Sequence, residues 1–250
     1  MLTLLRMDGQ MDIIIHEIGR YVTRNYILET PMGLIVIDTG YPGGFPKFKV
    51  SFERRWPLSA IKYIFMTHHH DDHSGFLDEL ISATDAPVVL HSLALEYLAT
   101  GQSHEKPGAG YSSFVASLYS RVHKDFSFPP VIVPKSRAII VDSEETQPFE
   151  ELGLPIKVLY LPGHTDDSIG LYLPEIGALF CGDAAMNAVI SLARHTIYIE
   201  DSAEFGRSWD KMLALNPVKI YPAHGSPFPP SDLVKYRYYL DGKSLRPPKK

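Results

Sequence analysis

The sequence has very little cysteine: Cys181 is the only one among 250 residues. A single cysteine cannot form an intramolecular disulfide, which excludes a disulfide-stapled scaffold and fits a reducing cytoplasm. Also lacking are an apolar run long enough to cross a bilayer and, in the first ten residues, the apolar core of a signal peptide. We therefore expect a cytoplasmic protein that does not act at a membrane.

An excess of positive charge is lacking as well. The 24 lysines and arginines are outnumbered by 29 aspartates and glutamates, which gives a net charge of −5. The one basic cluster, residues 246–250, is more typical of a frayed terminus than of a nucleic-acid-binding arm. Hydrophobic residues make up 45% of the chain, an ordinary value for a globular protein, and we expect one domain over residues 1–250 that does not bind nucleic acid.

What the sequence does contain is a dense cluster of metal-binding residue types at 67–73, Thr-His-His-His-Asp-Asp-His. Four of these residues (His68, His70, Asp72 and His73) fit the pattern His-x-His-x-Asp-His. The cluster follows the apolar run Ile61–Met66, which is typical of a buried strand. A strand that ends in imidazoles and carboxylates can direct several ligands to one point, as zinc requires. Alone, such a run could also be an adventitious metal binder or a solvated loop.

Further loops of the same chemistry follow other apolar runs. They are Asp38-Thr39-Gly40, Leu161-Pro162-Gly163-His164-Thr165, Phe180-Cys181-Gly182-Asp183 and Tyr221-Pro222-Ala223-His224-Gly225. In order and content these loops resemble those of the metallo-β-lactamase-fold hydrolases, a superfamily that includes glyoxalase II-like thioesterases and acyl-homoserine lactonases. The resemblance covers roughly residues 12–230. It implies an α/β fold, a four-layer αβ/βα sandwich, whereas strand–helix alternation alone supports only a mixed α/β architecture.

The resemblance also implies a ligand set for two divalent metal ions. His68, His70 and His164 would bind the first ion, Asp72, His73 and His224 the second, and Asp183 would bridge them. A hydroxide between the ions would attack the carbonyl of a small ester, thioester or lactone, with Asp72 also serving as a catalytic proton acceptor. Zinc is the favoured metal, with iron and manganese as the alternatives.

Four residues near these motifs have other expected roles. Asp38 is expected to orient a ligand such as His68 or His73, and His69 to point away from the metals. His91 should cap a helix or pack in the interior. Cys181 is expected to be a small buried apolar residue rather than a ligand.

Local patterns predict the following elements. The strands are Asp12–Ile18, Tyr21–Glu29, Gly33–Asp38, Ile61–Met66, Ala86–His91, Ile156–Leu161, Ser168–Leu173, Ala178–Cys181 and Val218–Tyr221. The helices are a short one within Gly43–Arg55, then Gly75–Ala83, Ser92–Ala99, Tyr111–His123, Ala203–Leu215 and Ser231–Leu240. The interval 101–151 breaks this rhythm and is expected to be a helical and loop insertion, which either covers the active site or packs at the periphery.

The substrate is less well specified by the sequence. Lactonases usually place a tyrosine shortly after the bridging aspartate; none follows Asp183 closely here, although Tyr198 could reach the site. Met186, Ile190, Leu192 and the aromatic residues of 111–128 could form an apolar acyl pocket, or could simply be core. A β-lactamase-type amide hydrolase and a non-hydrolytic metal-binding or redox protein are the alternatives to an ester, thioester or lactone hydrolase. Tyrosine-rich loops are compatible with a homodimer.

Overall fold

Two β-sheets face each other across an apolar interior in the computed structural model, which describes residues 12–18, 23–103, 106–122 and 126–248. In the first sheet the strand order is β1-β2-β3-β4-β5-β7, and in the second it is β12-β10-β9-β8. Strands β11 and β6 form a separate pair. The strands are β1 Ile14–Ile18, β2 Asn25–Thr30, β3 Gly33–Ile37, β4 Ile61–Phe65, β5 Val88–Leu90, β6 Gly110–Tyr111, β7 Ala138–Ile140, β8 Lys157–Tyr160, β9 Ile169–Leu173, β10 Ala178–Gly182, β11 Tyr198–Ile199 and β12 Lys219–Pro222.

Eight α-helices lie in the described part of the chain. They are α1 Phe45–Phe52, α2 Asp71–Ser74, α3 Leu77–Ala83, α4 Ser92–Thr100, α5 Phe114–Val122, α6 Pro148–Glu151, α7 Ser202–Ala214 and α8 Ser231–Tyr236. Single 3₁₀ turns are found at Leu58–Ala60 and Arg237–Leu240. None of these helices combines the length and apolar character that crossing a bilayer requires.

The four-layer arrangement follows from the two-residue period of the strands. In β2, Leu28 points to the second sheet and packs in the cluster that contains Phe180, while its neighbour Ile27 packs on the other side against helices α1 and α3. In β10, Leu179 faces away from the first sheet and joins Trp209 of α7. Helices therefore cover the outer face of each sheet, and the predicted αβ/βα sandwich is confirmed.

Most of the predicted elements are present with shifts of a few residues. The strand predicted over Tyr21–Glu29 is β2, and residues 21–22 lie outside the described residues, as does His123 of the helix predicted over Tyr111–His123. Helix α5 begins later than predicted, at Phe114, because Tyr111 pairs with Tyr198 in the β6–β11 ladder and the Ser113 hydroxyl accepts a hydrogen bond from Ala116 N at 3.1 Å.

The interval 101–151 is not uniform in structure. Its later part contains β7, which the sequence analysis did not identify and which pairs in parallel with β5 as an edge strand of the first sheet. Its earlier part, with β6 and α5, lies outside both main sheets.

Candidate metal centre

The loops that carry the motif residues leave the two sheets at a shared edge. Strands β3 and β4 are parallel, so the loops after Ile37 and Phe65 leave the first sheet on the same side. Strands β8 and β10 are both antiparallel to β9, and β12 is parallel to β10, so the loops that carry the three later motifs also emerge together. The two edges meet where Ile169 N donates to Thr67 O at 2.8 Å.

The first ligand group consists of His68, His70 and His164. The Nε2 atom of His164 lies 3.1 Å from His68 Nε2 and 3.0 Å from His70 Nδ1. Potential ligand atoms of the three side chains all lie within 4.8 Å of one another, a spacing that allows them to hold one metal ion.

The second ligand group consists of Asp72, His73 and His224. His224 Nε2 is 3.0 Å from one carboxylate oxygen of Asp72, and His73 Nε2 is 3.6 Å from the other. These three side chains satisfy the same 4.8 Å criterion.

Asp183 lies between the two groups. Its Oδ2 atom is 3.7 Å from His164 Nε2, and its Oδ1 atom is 3.5 Å from His224 Nε2 and 3.6 Å from His73 Nε2. One oxygen thus faces each group, as a bridging carboxylate requires. The structure brings all seven residues for which a ligand role was predicted into one site.

Hydrogen bonds on the far side of three rings fix which nitrogen carries the proton. His164 Nδ1 is 2.8 Å from the carbonyl oxygen of Tyr198, which can only accept, so Nδ1 is the donor and Nε2 presents a lone pair. His73 Nδ1 is 2.9 Å from Asp38 Oδ2 and donates in the same way. The Thr67 hydroxyl donates to Asp38 at 2.7 Å and can accept from His68 Nδ1 at 3.1 Å. In all three rings Nε2 is therefore the nitrogen that points inwards and is left to bind a metal ion.

Buried polar atoms without a hydrogen-bond partner lie at the centre of the site, where a metal ion could coordinate them. The Nε2 atom of His73 and the Oδ1 atom of Asp183 are buried and have no hydrogen-bond partner. Leaving buried polar atoms unpaired costs about 1–3 kcal/mol each, so such atoms in a native site call for a ligand. A donor set of five imidazoles and two carboxylates suits zinc or a similar divalent ion.

The electrostatics of the two groups differ. Burial lowers the pKa of His68 and His70 well below the usual value, and neighbouring imidazoles lower it further. Burial also lowers the pKa of His164, although Asp183 opposes this effect. These three rings are therefore neutral at pH 7, as ligands must be.

The second group has a strongly negative potential. Burial alone would lower the pKa of His73, but Asp72 and Asp38 raise it to about 10. The same balance between burial and the carboxylates of Asp183 and Asp72 raises the pKa of His224 to about 9. Burial opposes ionisation of Asp72, yet His73 and His224 hold its pKa below the usual range. The carboxylates thus favour a cation here, and a bound metal ion would satisfy them in place of the ring protons.

Asp38 supports this arrangement from behind the ligands. It adopts a positive φ of 57° and is 1% exposed. In addition to its bonds to Thr67 Oγ1 and His73, its Oδ1 atom accepts from Thr67 N at 2.7 Å. Asp38 therefore orients His73 directly and His68 through Thr67, as expected for its Asp-Thr-Gly turn.

Three other residues also take their expected positions. His69 is fully buried and turned towards Asp167, with Nδ1 3.0 Å from Asp167 Oδ1. His91 caps α4, where its Nδ1 accepts from Leu93 N at 3.2 Å. Cys181 is buried in the cluster between the second sheet and α7. The left-handed φ of +52° at Gly182 turns the chain after Cys181, so that only Asp183 faces the metal groups.

A cavity of about 620 Å³ opens over the two groups. One side of it is formed by ligand residues, and another by the apolar side chains Met186, Val189, Ile190 and Ile197. Residues from the earlier part of the 101–151 interval form a further wall, among them Tyr111, Tyr119 and Phe126. These residues thus border the site rather than packing away from it.

Some residues of the site were not identified from sequence. Thr196 Oγ1 donates to Asp183 Oδ2 at 3.3 Å, and Asp167 holds His69. Tyr41 follows the Asp-Thr-Gly turn and lines the cavity. Tyr198, which the sequence suggested as a substitute for the missing tyrosine, lines the cavity and contributes its carbonyl group to His164.

Comparison with known proteins identifies relatives of this architecture. A sequence profile described as the metallo-beta-lactamase superfamily matches residues 18–224. A Drosophila melanogaster protein named beta-lactamase-like protein 2 homolog is 33% identical over 226 residues, which are 90% of this chain and 65% of that protein. The chain therefore spans slightly less than two thirds of the length of this relative.

Two further proteins extend the comparison. The probable metallo-hydrolase YflN of Bacillus subtilis is 23% identical, and the match covers 85% of this chain and 84% of that protein. The crystal structure of TTHA1623 in a di-iron-bound form superposes with a TM-score of 0.61 and 23% identity, over 89% of this chain and 98% of that one. At this identity the structural likeness shows the fold alone.

Proposed function

The chain belongs to the metallo-β-lactamase superfamily, and we propose on that basis that it is a hydrolase that uses two divalent metal ions to cleave a small ester, thioester or lactone. The name of its Bacillus subtilis relative, a probable metallo-hydrolase, agrees with this general activity. The site described above would be the active site, and its cavity would hold the substrate.

One observation carries the proposal: seven ligand side chains surround two adjacent positions, and Asp183 offers one oxygen to each. A structural metal site is usually closed by four protein ligands. Here each position has three side chains of its own and shares the aspartate, and the cavity opens directly onto both. Such an open dinuclear arrangement is typical of hydrolytic sites.

The metal ions, when bound, would supply Lewis acidity and a water ionised near neutral pH. The residues of the chain provide the rest. His68, His70 and His164 would hold one ion, and Asp72, His73 and His224 the other. Asp72 has one oxygen 3.0 Å from His224 Nε2 and lies at the cavity surface, where it could take up the proton of the attacking water. The apolar wall opposite excludes bulk water and positions the acyl group.

The ligand set favours ester-type bonds over β-lactams. The strand end after β10 presents Asp183, while Cys181 is 1% exposed in an apolar cluster and belongs to neither ligand group. By the family resemblance, an aspartate-bridged site is typical of the thioesterase and lactonase branches. A β-lactamase-type amide hydrolase is therefore our second choice among hydrolytic activities.

We propose zinc as the native metal because five of the seven donors are imidazole nitrogens, which zinc accepts readily in four-coordinate sites. The di-iron-bound form of TTHA1623 is the observation that favours iron instead, and with it a non-hydrolytic redox protein as the second functional class. Elemental analysis of the protein as purified from its native host distinguishes these metals, and manganese, directly.

The ligand assignment can be tested with His68→Ala and Asp183→Ala. Each variant removes a donor from a buried site, so we expect metal content and ester hydrolysis to be lost together. His16→Ala is the matched control, because His16 lies on β1 at the far edge of the first sheet and pairs with Glu29. Full turnover by either site variant without bound metal would refute the proposal.

A further inference from the structure

The described residues that line the cavity over the candidate metal centre include acidic side chains but no lysine or arginine. No lysine or arginine is present among the 21 residues that line it in the described part of the chain. Its charged side chains, apart from histidines, are the carboxylates of Asp71, Asp72 and Asp183.

Two positive side chains outside the cavity lining are paired with carboxylates elsewhere. Arg194, in the loop that supplies the apolar wall, donates to Asp232 at 2.9 and 2.6 Å and stacks on Phe228. Lys106, close to the opposite wall, pairs with Asp166 and lies 3.8 Å from Glu200. Among the described residues that line the cavity, a substrate anion would therefore find no lysine or arginine to stabilise it.

Asp71 makes the cavity actively unfavourable to anions. It precedes the ligand Asp72, is only 9% exposed and belongs to none of the ligand groups, yet it lines the cavity. The carboxyl group of Asp71 is thus a further acidic group in the cavity lining, in addition to the carboxylates that would bind metal. Like-charge contacts in a poorly solvated site reduce binding strongly.

The remaining surface of the cavity favours apolar groups. Met186, Ile190 and Ile197 line the cavity together with Tyr111, Tyr119 and Phe126. The volume of about 620 Å³ is in the range of pockets that enclose a whole small molecule. Val189 both lines the cavity and is fully exposed to solvent, so the mouth of the cavity is apolar too. A long or bulky hydrocarbon group can thus enter without meeting a polar rim at that residue.

We propose that the substrate is an uncharged ester, thioester or lactone whose acyl part is bulky and apolar, and that anionic substrates are selected against. This inference rests on the proposed hydrolytic function. It disfavours β-lactams, which carry a carboxylate, and the anionic thioesters of coenzyme A or glutathione.

The first experiment measures kcat/KM of the metal-loaded protein for para-nitrophenyl esters from acetate to octanoate. Burial of each methylene is worth about 0.8 kcal/mol, so we expect roughly a fourfold rise per added methylene until the cavity is filled. The matched anionic substrate is the octanoate ester with a sulfonate at its far end, since sulfonate binds metals weakly. We expect it to be hydrolysed at least tenfold less efficiently. Equal or better turnover of the sulfonated ester, or no dependence on chain length, would overturn the inference.

A gain-of-function variant gives an independent test. Val189→Arg introduces a cation at the mouth of the cavity, and the full exposure of Val189 lets the longer side chain be accommodated. We expect the ratio of sulfonated to neutral ester turnover to rise at least fivefold. Val234→Arg is the matched control, because Val234 is 64% exposed on α8 and does not line the cavity. An unchanged ratio in Val189→Arg, or an equal change in the control, would contradict the proposal.

A binding measurement separates this inference from the proposed function. Octanamide and its ω-sulfonated analogue are amides and lack the ester bond. Their affinities for the metal-loaded protein can therefore be measured by calorimetry separately from ester turnover. Suppose that octanamide binds at least tenfold more tightly than its sulfonated analogue while no ester is turned over. The preference for neutral apolar groups then stands and the hydrolytic function fails. If esters are turned over but the sulfonated amide binds as tightly as octanamide, the inference fails and the hydrolytic function stands.

Discussion

Individual hydrogen bonds behind the ligands decide whether this site can bind metal. Asp38 accepts from His73 Nδ1, and the carbonyl of Tyr198 accepts from His164 Nδ1, so in both rings Nε2 is the nitrogen left to bind a metal ion. Loss of such an outer partner typically reduces metal affinity 10- to 100-fold in metalloenzymes. The seven ligands alone are therefore not the whole site.

Replacement of Asp38 by asparagine tests this dependence. An amide has one accepting oxygen, whereas Asp38 uses two oxygens to accept from Thr67 N, Thr67 Oγ1 and His73. We expect Asp38→Asn to weaken metal binding about 10- to 100-fold in a chelator competition titration, with folded protein retained. Asp210→Asn, at an exposed ion pair with Arg237, should bind metal like the wild type. An unchanged affinity in Asp38→Asn would show that the ring orientation of His73 does not depend on this carboxylate.

Glu200 gives the protein a separate dependence on pH. Burial raises the pKa of its carboxyl group from 4.5 to about 8, although Lys106 opposes this shift. Because the folded state holds the proton more tightly than the unfolded state, the contribution to stability is fully present below about pH 4.5 and is lost as the pH rises through about 8.

We therefore expect the melting temperature of the metal-loaded wild type to fall more steeply between about pH 5 and pH 9 than that of Glu200→Gln. The glutamine keeps the shape of the protonated acid and cannot ionise. At about pH 9 the variant should be the more stable of the two. If the melting temperatures of the wild type and Glu200→Gln changed in parallel with pH across this range, Glu200 would not be protonated in the folded protein.

Strands and helices near the motifs were the most predictable elements. The run Ile61–Met66 and the loop after it identified β4 within one residue, because a continuous apolar segment that ends in metal-binding side chains has few alternative structures. In contrast, β7 spans only Ala138–Ile140, is partly buried and shows no apolar alternation, so its place in the sheet is fixed by pairing with β5 and not by its own sequence.

The part of the cavity wall around Tyr111 is held by short backbone pairings. Tyr111 N donates to Arg246 O at 2.7 Å, Arg246 N donates to Tyr111 O at 3.1 Å, and β6 pairs with β11 on its other side. A side chain at Gly110 would overlap the carbonyl group of Arg246, so this close approach depends on glycine.

We expect Gly110→Ala to displace Tyr111 and loosen this wall without affecting the metal ligands. KM for an apolar ester should rise about tenfold, since small misplacements of a binding wall have large effects, while metal content stays unchanged. Gly108→Ala is the control for the conformational cost of losing a glycine without a steric overlap. Gly108 has a φ of +92° and open space at the Cβ position. A similar KM in Gly110→Ala and the wild type would mean that the wall does not contact the substrate.

The molecule as a whole places its site where the two halves of the sandwich meet. The first half contributes His68, His70, Asp72 and His73, and the second contributes the remaining three candidate ligands. Thr67 links the halves, because its carbonyl accepts from Ile169 and its side chain lies against Gly182. Metal binding would therefore join two layers of the fold as well as supply the chemistry.

How far the sequence predicts such a molecule depends on the distance over which its parts interact. The fold and the seven ligand candidates could be predicted because each motif is local and follows its own strand. The pairing of His69 with Asp167 could not, since these residues are 98 positions apart and neither sits in a motif that demands the other. The cavity walls, from Tyr41, Tyr119 and Ile190 among others, likewise come from separate segments, so it takes the folded structure to show that their described residues include no lysine or arginine.

The central claim, a catalytic site with two metal ions, is tested most directly by a reconstitution titration. Metal is removed with a chelator, and hydrolysis of para-nitrophenyl octanoate is measured as zinc is returned in known amounts. We predict that activity is abolished by chelation and recovers to a plateau at about two equivalents per chain, as expected for a two-metal site. Hydrolysis that persists after complete metal removal, or protein that binds no metal when zinc is returned, would contradict the account.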